Sequence, residues 1–170
     1  FTKFERMLRN GEFKKGDLHR SFVCFLYWTG TRRASALERK PRDFHVHNGV
    51  LYVDIPPKKH GAESPPLELD LDLPFVELIL NRVKETSQRE RLWPFSGVTA
   101  WRIVKRIAPK LYPHFFRLNR ATRMLDDPTT TIPEIKAWFQ WKTTKTIDAY
   151  IGLSRRYMTR GRARLRKEVS

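Results

Sequence analysis

"FHVHNGVLYVDIP", residues 44–56, is the stretch that decides the fold, because the spacing of its apolar residues changes there from a helical pattern to a strand pattern. Asn48-Gly49 lies between two β-prone segments, and this pair favours the tight turn of a β-hairpin. Residues 56–71 then supply a Lys-rich, Gly-containing tip and a further strand in "LELDL". The sequence therefore predicts a small antiparallel sheet of about three strands within residues 45–71.

Helical patterns lie on both sides of this sheet. Residues 17–29 form an apolar helix that Asp17 can cap and Gly30 ends, and residues 31–40 resume a helical pattern. Pro74 and Pro133 each suit a helix start. The helices expected after the sheet cover residues 74–88, 98–111, 115–125, 132–139 and 145–158. The predicted fold class is α+β and mostly helical, and residues 1–170 form one domain.

The charge balance points to a polyanionic partner. The 170 residues include 34 Lys and Arg against 18 Asp and Glu, a formal net charge of +16. So many positive charges repel one another and destabilise the folded chain, and such an excess is usually retained where the partner is nucleic acid. An anionic membrane surface is the second candidate, but there is no apolar run of about 18 residues and no basic amphipathic anchor. We therefore expect a DNA or RNA partner and no membrane.

The cysteine and histidine content predicts neither a disulfide nor a metal site. Cys24 is the single cysteine and lies in an apolar run, so we expect a small core residue and a reducing compartment. His45 and His47 have no acidic or Cys partner at ligand spacing. Trp101 and Trp138 are expected in the core. The N-terminus has no signal peptide and no starting Met, which suggests a fragment or an excised domain.

Basic residues beside turns and aromatic residues follow one another in an informative order. "TGTRRASALERKPRDF" (29–44) contains a Thr-Gly-x-Arg turn, and a lysine follows at the predicted hairpin tip. "PHFFRLNRAT" (113–122) contains a His and an Arg at i, i+3, which share one face of a helix. In "FQWKTTKTIDAY" (139–150) a Trp precedes the final Tyr by nine residues. This order resembles the tyrosine recombinase (integrase) family, in particular its archaeal members and those of archaeal viruses and plasmids.

The resemblance implies a set of catalytic residues and a covalent mechanism. These residues are Arg32, Lys59, His114, Arg117, Trp141 and the nucleophile Tyr150. In the family, the tyrosine attacks a DNA phosphodiester and forms a 3′-phosphotyrosyl link with release of a 5′-hydroxyl. Strand exchange and religation then need neither metal nor ATP, so no cofactor is expected.

Each residue has an implied role. The two arginines and the Trp141 indole N–H would stabilise the charge on the non-bridging oxygens. His114 would hold or take the tyrosine proton, and a hairpin lysine would protonate the leaving 5′-oxygen. Either Lys58 or Lys59 fits that last role, and we favour Lys59 because it adjoins the His60-Gly61 turn. Tyr157 is the alternative nucleophile, but it breaks the spacing to the Trp.

The family pattern also sets expectations for domains and assembly. The family's N-terminal core-binding domain is absent from this chain, and the catalytic domain spans residues 1–170. The basic tail 151–170 either docks on a neighbouring protomer or adds non-specific phosphate contacts. Full-length members form tetramers on a specific double-stranded DNA site, whereas the sequence leaves the oligomeric state of this chain open, with a monomer as one alternative. The implied location is the cytoplasm of a prokaryotic host, with the nucleoid. Two positions depart from the pattern: Ser35 replaces a usual acidic residue, and Leu118 a frequent His.

Two other functions are compatible with the residues. One is relaxation of supercoiled DNA, as by type IB topoisomerases, which use the same chemistry. The other is a basic DNA-binding module without catalysis. The sequence leaves open the target site, and it does not say whether Tyr150 acts in its own protomer or in a neighbour.

Overall fold

The computed structural model describes residues 3–58 and 62–151, and these residues divide into two compact units. Unit 1 comprises Phe1–Ile55 and Pro66–Arg117, and unit 2 comprises Pro56–Pro65 and Leu118–Ser170. Unit 1 therefore contains the sheet and the N-terminal half of the chain. Unit 2 contains the connection between the last two strands together with the C-terminal helices.

The chain is mostly helical and has one short sheet, as predicted. The helices are α1 (Lys3–Asn10), α2 (Gly16–Thr29), α3 (Arg33–Leu37), α4 (Val76–Glu85), α5 (Gly97–Ile107), α6 (Pro113–Asp126), α7 (Ile132–Trp138) and α8 (Lys145–Ile151). A 3-10 turn at Pro41–Asp43 leads into the strands β1 (Phe44–His47), β2 (Val50–Val53) and β3 (Leu67–Asp70). The predicted fold class is confirmed. The predicted extension of the last helix beyond residue 151 lies outside the described residues.

The sheet has the strand order β1-β2-β3, with both pairs antiparallel. Phe44 pairs with Val53, which in turn pairs with Leu67, and all three side chains are buried. Alternation places His45 and His47 on the opposite face, where both are exposed. One face of the sheet therefore packs on the core of unit 1, and the other is polar.

The predicted hairpin turn is confirmed by the backbone. Asn48 has φ 48° and Gly49 has φ 75°, so both central residues are left-handed. A type I′ turn requires this conformation, and Asn-Gly adopts it at the lowest cost. The turn fixes the register in which His47 pairs with Val50.

The core of unit 1 is built around α2. Phe22, Phe25 and Tyr27 are fully buried on different sides of this helix, and Cys24 is buried as expected. The indole ring of Trp93 packs 5.0 Å from the Phe25 ring, and its N–H donates to the Ser21 hydroxyl at 2.9 Å. Helix α2 is therefore buried on nearly all of its faces, and this fixes the position of the turn that follows it.

The sequence did not predict one helix, and it misplaced a helix cap, a helix start and a tryptophan. Helix α1 was not predicted; it is short, and the stacking of Phe4 on Tyr27 with ring centroids 4.4 Å apart is a long-range contact. Asp17 does not cap α2, because the N-cap is Lys15, and Asp17 instead pairs with Arg20 at 2.7 Å within the first turn.

The other two corrections concern a helix start and a tryptophan. Helix α4 begins at Val76 rather than at Pro74, after Phe75 in a left-handed conformation with φ 67°. Trp101 is 44% exposed on α5 instead of lying in the core, and its ring faces the Lys105 ammonium, which is 5.5 Å from the ring centroid. An indole can remain on the surface when a cation covers one of its faces.

Unit 2 has its own apolar cluster. The buried members are Ala121, Leu125, Ile135, Phe139, Trp141 and Ile147. Trp138, Tyr150 and Ile151 are partly buried and pack against them. The cluster joins the second half of α6 to α7 and α8, so the last described helix is held by apolar contacts rather than by charge. Within residues 3–58 and 62–151, no helix has the length and apolar character needed to cross a membrane.

Candidate active site

The Thr-Gly-Thr-Arg turn is fixed by hydrogen bonds at the end of α2. Gly30 ends the helix in a left-handed conformation with φ 63°, and its N–H donates to the Leu26 carbonyl at 2.9 Å. The Thr29 hydroxyl donates to the Phe25 carbonyl at 2.7 Å and accepts from the Thr31 N–H at 3.1 Å. The buried Thr29 side chain thus bridges both sides of the turn. A residue other than glycine at position 30 would cost about 1 kcal/mol.

The turn delivers Arg32 to the surface as the N-cap residue of α3. Its side chain is exposed, and within the described part of the chain its guanidinium has neither a hydrogen bond nor an ion pair. Arg33 differs, since its guanidinium carbon lies 3.4 Å from the point that a Cβ on Gly97 would occupy, so it covers the start of α5. Both arginine side chains are exposed, and the Arg33 guanidinium is the one that lies beside Gly97.

Arg117 lies against the same turn, although it is 87 residues away from Gly30 in sequence. The Arg117 side chain is 6% exposed, and its Nη1 donates to the Gly30 carbonyl at 3.1 Å. This bond holds a second guanidinium beside the backbone that carries Arg32. Within unit 1 the Arg117 guanidinium therefore contacts the turn whose backbone continues to Arg32.

His114 lies one turn before Arg117 on α6. The helix begins at Pro113, two residues earlier than predicted, so His114 is part of its first turn and is three residues from Arg117. The imidazole is exposed, and it has no hydrogen-bond partner among residues 3–58 and 62–151. The expected i, i+3 relation on one helix face is present.

Arg39 is a structural residue that the sequence analysis did not single out. Its Nε donates to the Ser35 carbonyl and its Nη1 to the Asp54 carbonyl, each at 2.8 Å. Its Nη1 also lies 3.3 Å from the Asp43 carboxylate. Burial lowers the pKa of Arg39, and the Asp43 carboxylate opposes that shift. The guanidinium ties α3 to the end of β2, and so it fixes the segment that begins with Arg32.

Ser35 is buried in α3, three residues after Arg32. Its carbonyl accepts the Arg39 hydrogen bond described above. The sequence offered no signal for the structural role of Arg39, because an arginine in a basic chain is by default a surface residue. Only the fold shows that Arg39 is 4% exposed.

Trp141 and Tyr150 form a stacked pair in unit 2. Their ring centroids are 5.5 Å apart with an interplanar angle of 16°. The Phe139 ring also stacks on Trp141, with centroids 4.8 Å apart. Tyr150 is half-buried, and its hydroxyl makes no hydrogen bond to any described residue. Trp141 is 7% exposed. The tyrosine therefore packs through its ring and leaves its hydroxyl without a protein partner in this part of the chain.

A Schellman motif at the end of α7 positions Trp141. The Trp141 N–H donates to the Lys136 carbonyl at 2.9 Å, and the Gln140 N–H donates to the Ala137 carbonyl at 3.1 Å. Gln140 occupies the left-handed position of this motif with φ 57°, where glycine is usual. A non-glycine residue there costs about 1–2 kcal/mol. The chain reverses at Gln140 and so turns Trp141 back onto the cluster of unit 2.

The same residue receives the connection between β2 and β3. The Ala62 N–H donates to the Gln140 carbonyl at 3.1 Å, within unit 2. Lys58 is exposed on the other side of the predicted tip, and Lys59 lies outside the described residues. Ala62, which follows the predicted tip in the sequence, is thus hydrogen-bonded to the residue that precedes Trp141.

The described residues contain no cluster suited to a metal ion. No group of three His, Cys, Asp or Glu side chains within residues 3–58 and 62–151 could hold one. The groups available for chemistry are cations, ring N–H donors and a hydroxyl. They suit a phosphate ester, whose charge they can stabilise, and a nucleophilic attack by oxygen.

Solved structures of site-specific recombinases share this fold. XerH bound to its difH substrate in a pre-cleavage complex matches at TM-score 0.72 and 17% identity, over 86% of this chain and 47% of that one. XerH on a palindromic difH substrate in a post-cleavage complex matches at TM-score 0.78 and 16% identity, over 94% and 50%. XerA recombinase matches at TM-score 0.68 and 16% identity, over 98% and 63%.

The chain therefore has the tyrosine recombinase fold that the sequence resemblance implied. It spans about half the length of the XerH chains. No protein-family model matches the sequence, and no curated protein matches it either.

Proposed function

We propose that this chain is the catalytic domain of a site-specific tyrosine recombinase that cuts and rejoins double-stranded DNA. The observation that carries the proposal is the Arg117–Gly30 hydrogen bond, in a fold shared with XerH and XerA. It holds one guanidinium against the turn that carries Arg32, and a phosphodiester is a ligand that a pair of arginines suits well. The net charge of +16 fits a DNA partner.

In the proposed reaction, the Tyr150 hydroxyl attacks the phosphorus of one phosphodiester. The bond from phosphorus to the 5′-oxygen breaks, the phosphate stays on Tyr150 as a 3′-phosphotyrosine, and the 5′-oxygen leaves with a proton. Arg32 and Arg117 stabilise the additional negative charge on the non-bridging oxygens. His114 accepts or holds the tyrosine proton, and Trp141 donates its indole N–H. Attack by a 5′-hydroxyl reverses the step, so religation consumes no ATP.

A covalent capture experiment tests the function and separates it from the alternatives. The protein is incubated with a pool of nicked duplexes of randomised sequence, in the presence of EDTA and without ATP, and protein–DNA adducts are recovered under denaturing conditions. A site-specific recombinase is expected to give adducts enriched in one sequence motif. Adducts without enrichment, together with relaxation of supercoiled plasmid, would indicate topoisomerase activity instead. DNA binding without any adduct would leave a non-catalytic module and refute the proposal.

Lys59 is proposed as the general acid, and its substitution is expected to slow cleavage of ordinary DNA by about a hundredfold. A duplex whose leaving 5′-oxygen is replaced by sulfur needs no such proton, because a thiolate is a good leaving group. Lys59→Ala should therefore cleave the sulfur substrate at close to the wild-type rate. The matched variant Lys58→Ala should cleave both substrates normally. If Lys58→Ala shows the defect and the rescue, the general acid is Lys58.

A further inference from the structure

Unit 1 contains a cleft away from the residues discussed so far. It has a volume of about 380 Å³ and lies between residues 12–14, the start of α2 and one side of α5. Lys14, Arg102 and Arg106 line it, together with one carboxylate, that of Glu12. None of these four side chains forms an ion pair with any residue of the described ranges. The cleft therefore has three positive side chains and one negative side chain, and the excess positive charge is not balanced by an ion pair to another described residue.

The arrangement on α5 increases this repulsion. Arg102 and Arg106 are four residues apart, so they lie on the same helix face, where like charges destabilise a helix. Such a cluster is usually retained where an external anion balances it.

His19 adds a second and independent observation. Its side chain lines the cleft from α2 and is only 6% exposed. The ring makes an edge contact with Phe95, with centroids 5.5 Å apart, but neither nitrogen has a hydrogen-bond partner among residues 3–58 and 62–151. The ring nitrogens remain accessible from the cleft, so a ligand there can make the hydrogen bond that the protein does not supply.

The electrostatic environment of His19 agrees with an absent anion. Burial lowers the pKa of His19, and the charges of Lys15, Arg106 and Lys14 lower it further. A dianion in the cleft would oppose the repulsion from these cations and favour the protonated ring. The remaining charged groups that line the cleft are Glu12 and Arg102.

The walls of the cleft are partly apolar. Phe13, Ile103 and Ile107 contribute to them, next to the cations. A bare inorganic ion would leave this surface wet, whereas a phosphate ester with a planar or apolar body would cover it. The cleft is also larger than a single oxyanion requires.

We propose that this cleft is a binding site for the phosphate group of a phosphorylated ligand, held by Lys14, Arg102, Arg106 and the ring N–H of His19. A free phosphate monoester such as a nucleotide is one source of this group, and a DNA backbone phosphate is the other. None of the residues that line the cleft is among those assigned to strand cleavage.

The test uses isothermal titration calorimetry at low ionic strength, with sulfate and adenosine monophosphate as probes. The monophosphate should bind at least tenfold more tightly than sulfate, because its base can cover the apolar wall. Arg102→Gln/Arg106→Gln should weaken both probes by more than tenfold. The matched control Arg89→Gln/Arg91→Gln removes the same charge from exposed residues outside the cleft, and it should change affinity by less than twofold. Circular dichroism verifies that both variants are folded.

Sulfate also tests the role of His19, since it remains a dianion between pH 5.5 and 8. Wild-type affinity for sulfate should rise as the pH falls, because the bound dianion favours the imidazolium. His19→Phe, which keeps the ring contact with Phe95, should remove this dependence.

A third titration with duplex DNA identifies the source of the phosphate. If the α5 double variant loses the monophosphate but keeps the DNA affinity of the control variant, the ligand is a small phosphate ester. If the α5 double variant loses DNA affinity beyond the control while neither probe binds the wild type, the cleft takes a backbone phosphate. Equal binding of all three ligands to both double variants would overturn the proposal.

Discussion

Tyr150→Phe is expected to abolish covalent adducts with DNA completely while leaving DNA binding and stability unchanged. The substitution removes one hydroxyl, which makes no hydrogen bond to any described residue. The ring would keep its stacking on Trp141, 5.5 Å between centroids, and its packing against the unit 2 cluster. We therefore expect the free energy of unfolding to change by less than about 0.5 kcal/mol. Denaturing gels of the nicked-duplex reaction measure the adduct, and gel shifts measure binding.

The matched control is Tyr157→Phe, seven residues further along the chain. It should give as much adduct as the wild type. An adduct that persists in Tyr150→Phe and disappears in Tyr157→Phe would assign the nucleophile to Tyr157. Adducts lost in neither variant would exclude both tyrosines and contradict the mechanism. Because both substitutions delete the same group, a difference between them reports chemistry and not folding.

Local signals in the sequence predicted the parts of the fold that depend on a few adjacent residues. Asn48-Gly49 fixed the hairpin because both residues adopt positive φ cheaply. Gly30 ended α2 for the same reason, and it thereby placed the turn that carries Arg32. These features are decided by backbone sterics, so they can be read without knowledge of tertiary contacts.

Long-range contacts decide what the sequence did not reveal. The burial of Arg39 depends on the Asp54 carbonyl 15 residues away, and helix α1 depends on the stacking of Phe4 on Tyr27. Phe75 and Gln140 adopt left-handed conformations although neither is a glycine, the residue type that would have indicated such a conformation. For Arg39 and helix α1 a tertiary contact decides the outcome, and for Phe75 and Gln140 the residue type does not indicate the backbone conformation.

The candidate site shows the same difference between what local sequence signals predict and what only the fold reveals. Residue types, order and family resemblance identified the six candidates, of which Lys59 lies outside the described residues. The resemblance could not distinguish the environments of Arg32 and Arg33, since both are arginines in one turn. In the fold both side chains are exposed and neither has a hydrogen bond or ion pair to a described residue, but the Arg33 guanidinium lies beside Gly97.

Arg32→Ala is accordingly expected to slow formation of the covalent adduct by about 10³-fold or more, the effect of removing an arginine that stabilises phosphoryl-transfer charge. The Arg32 side chain has no hydrogen bond or ion pair to a described residue, and the substitution keeps the backbone carbonyl that accepts from the Ala36 N–H, so the folded state should stay intact. Single-turnover cleavage of the nicked duplex measures the rate, and thermal unfolding measures stability. Arg32→Lys keeps the charge but loses the fork, and it should recover only part of the rate.

Arg33→Ala is the matched control, because it removes the same charge from the neighbouring residue. It uncovers the start of α5 near Gly97, so a modest loss of stability is expected with near-normal cleavage. Equal defects in the two variants would mean that net charge, and not a positioned guanidinium, supports the reaction. A severe defect in Arg33→Ala alone would move the catalytic arginine by one position. Since the two residues differ in their contacts but not in their chemistry, the pair isolates the effect of position on catalysis.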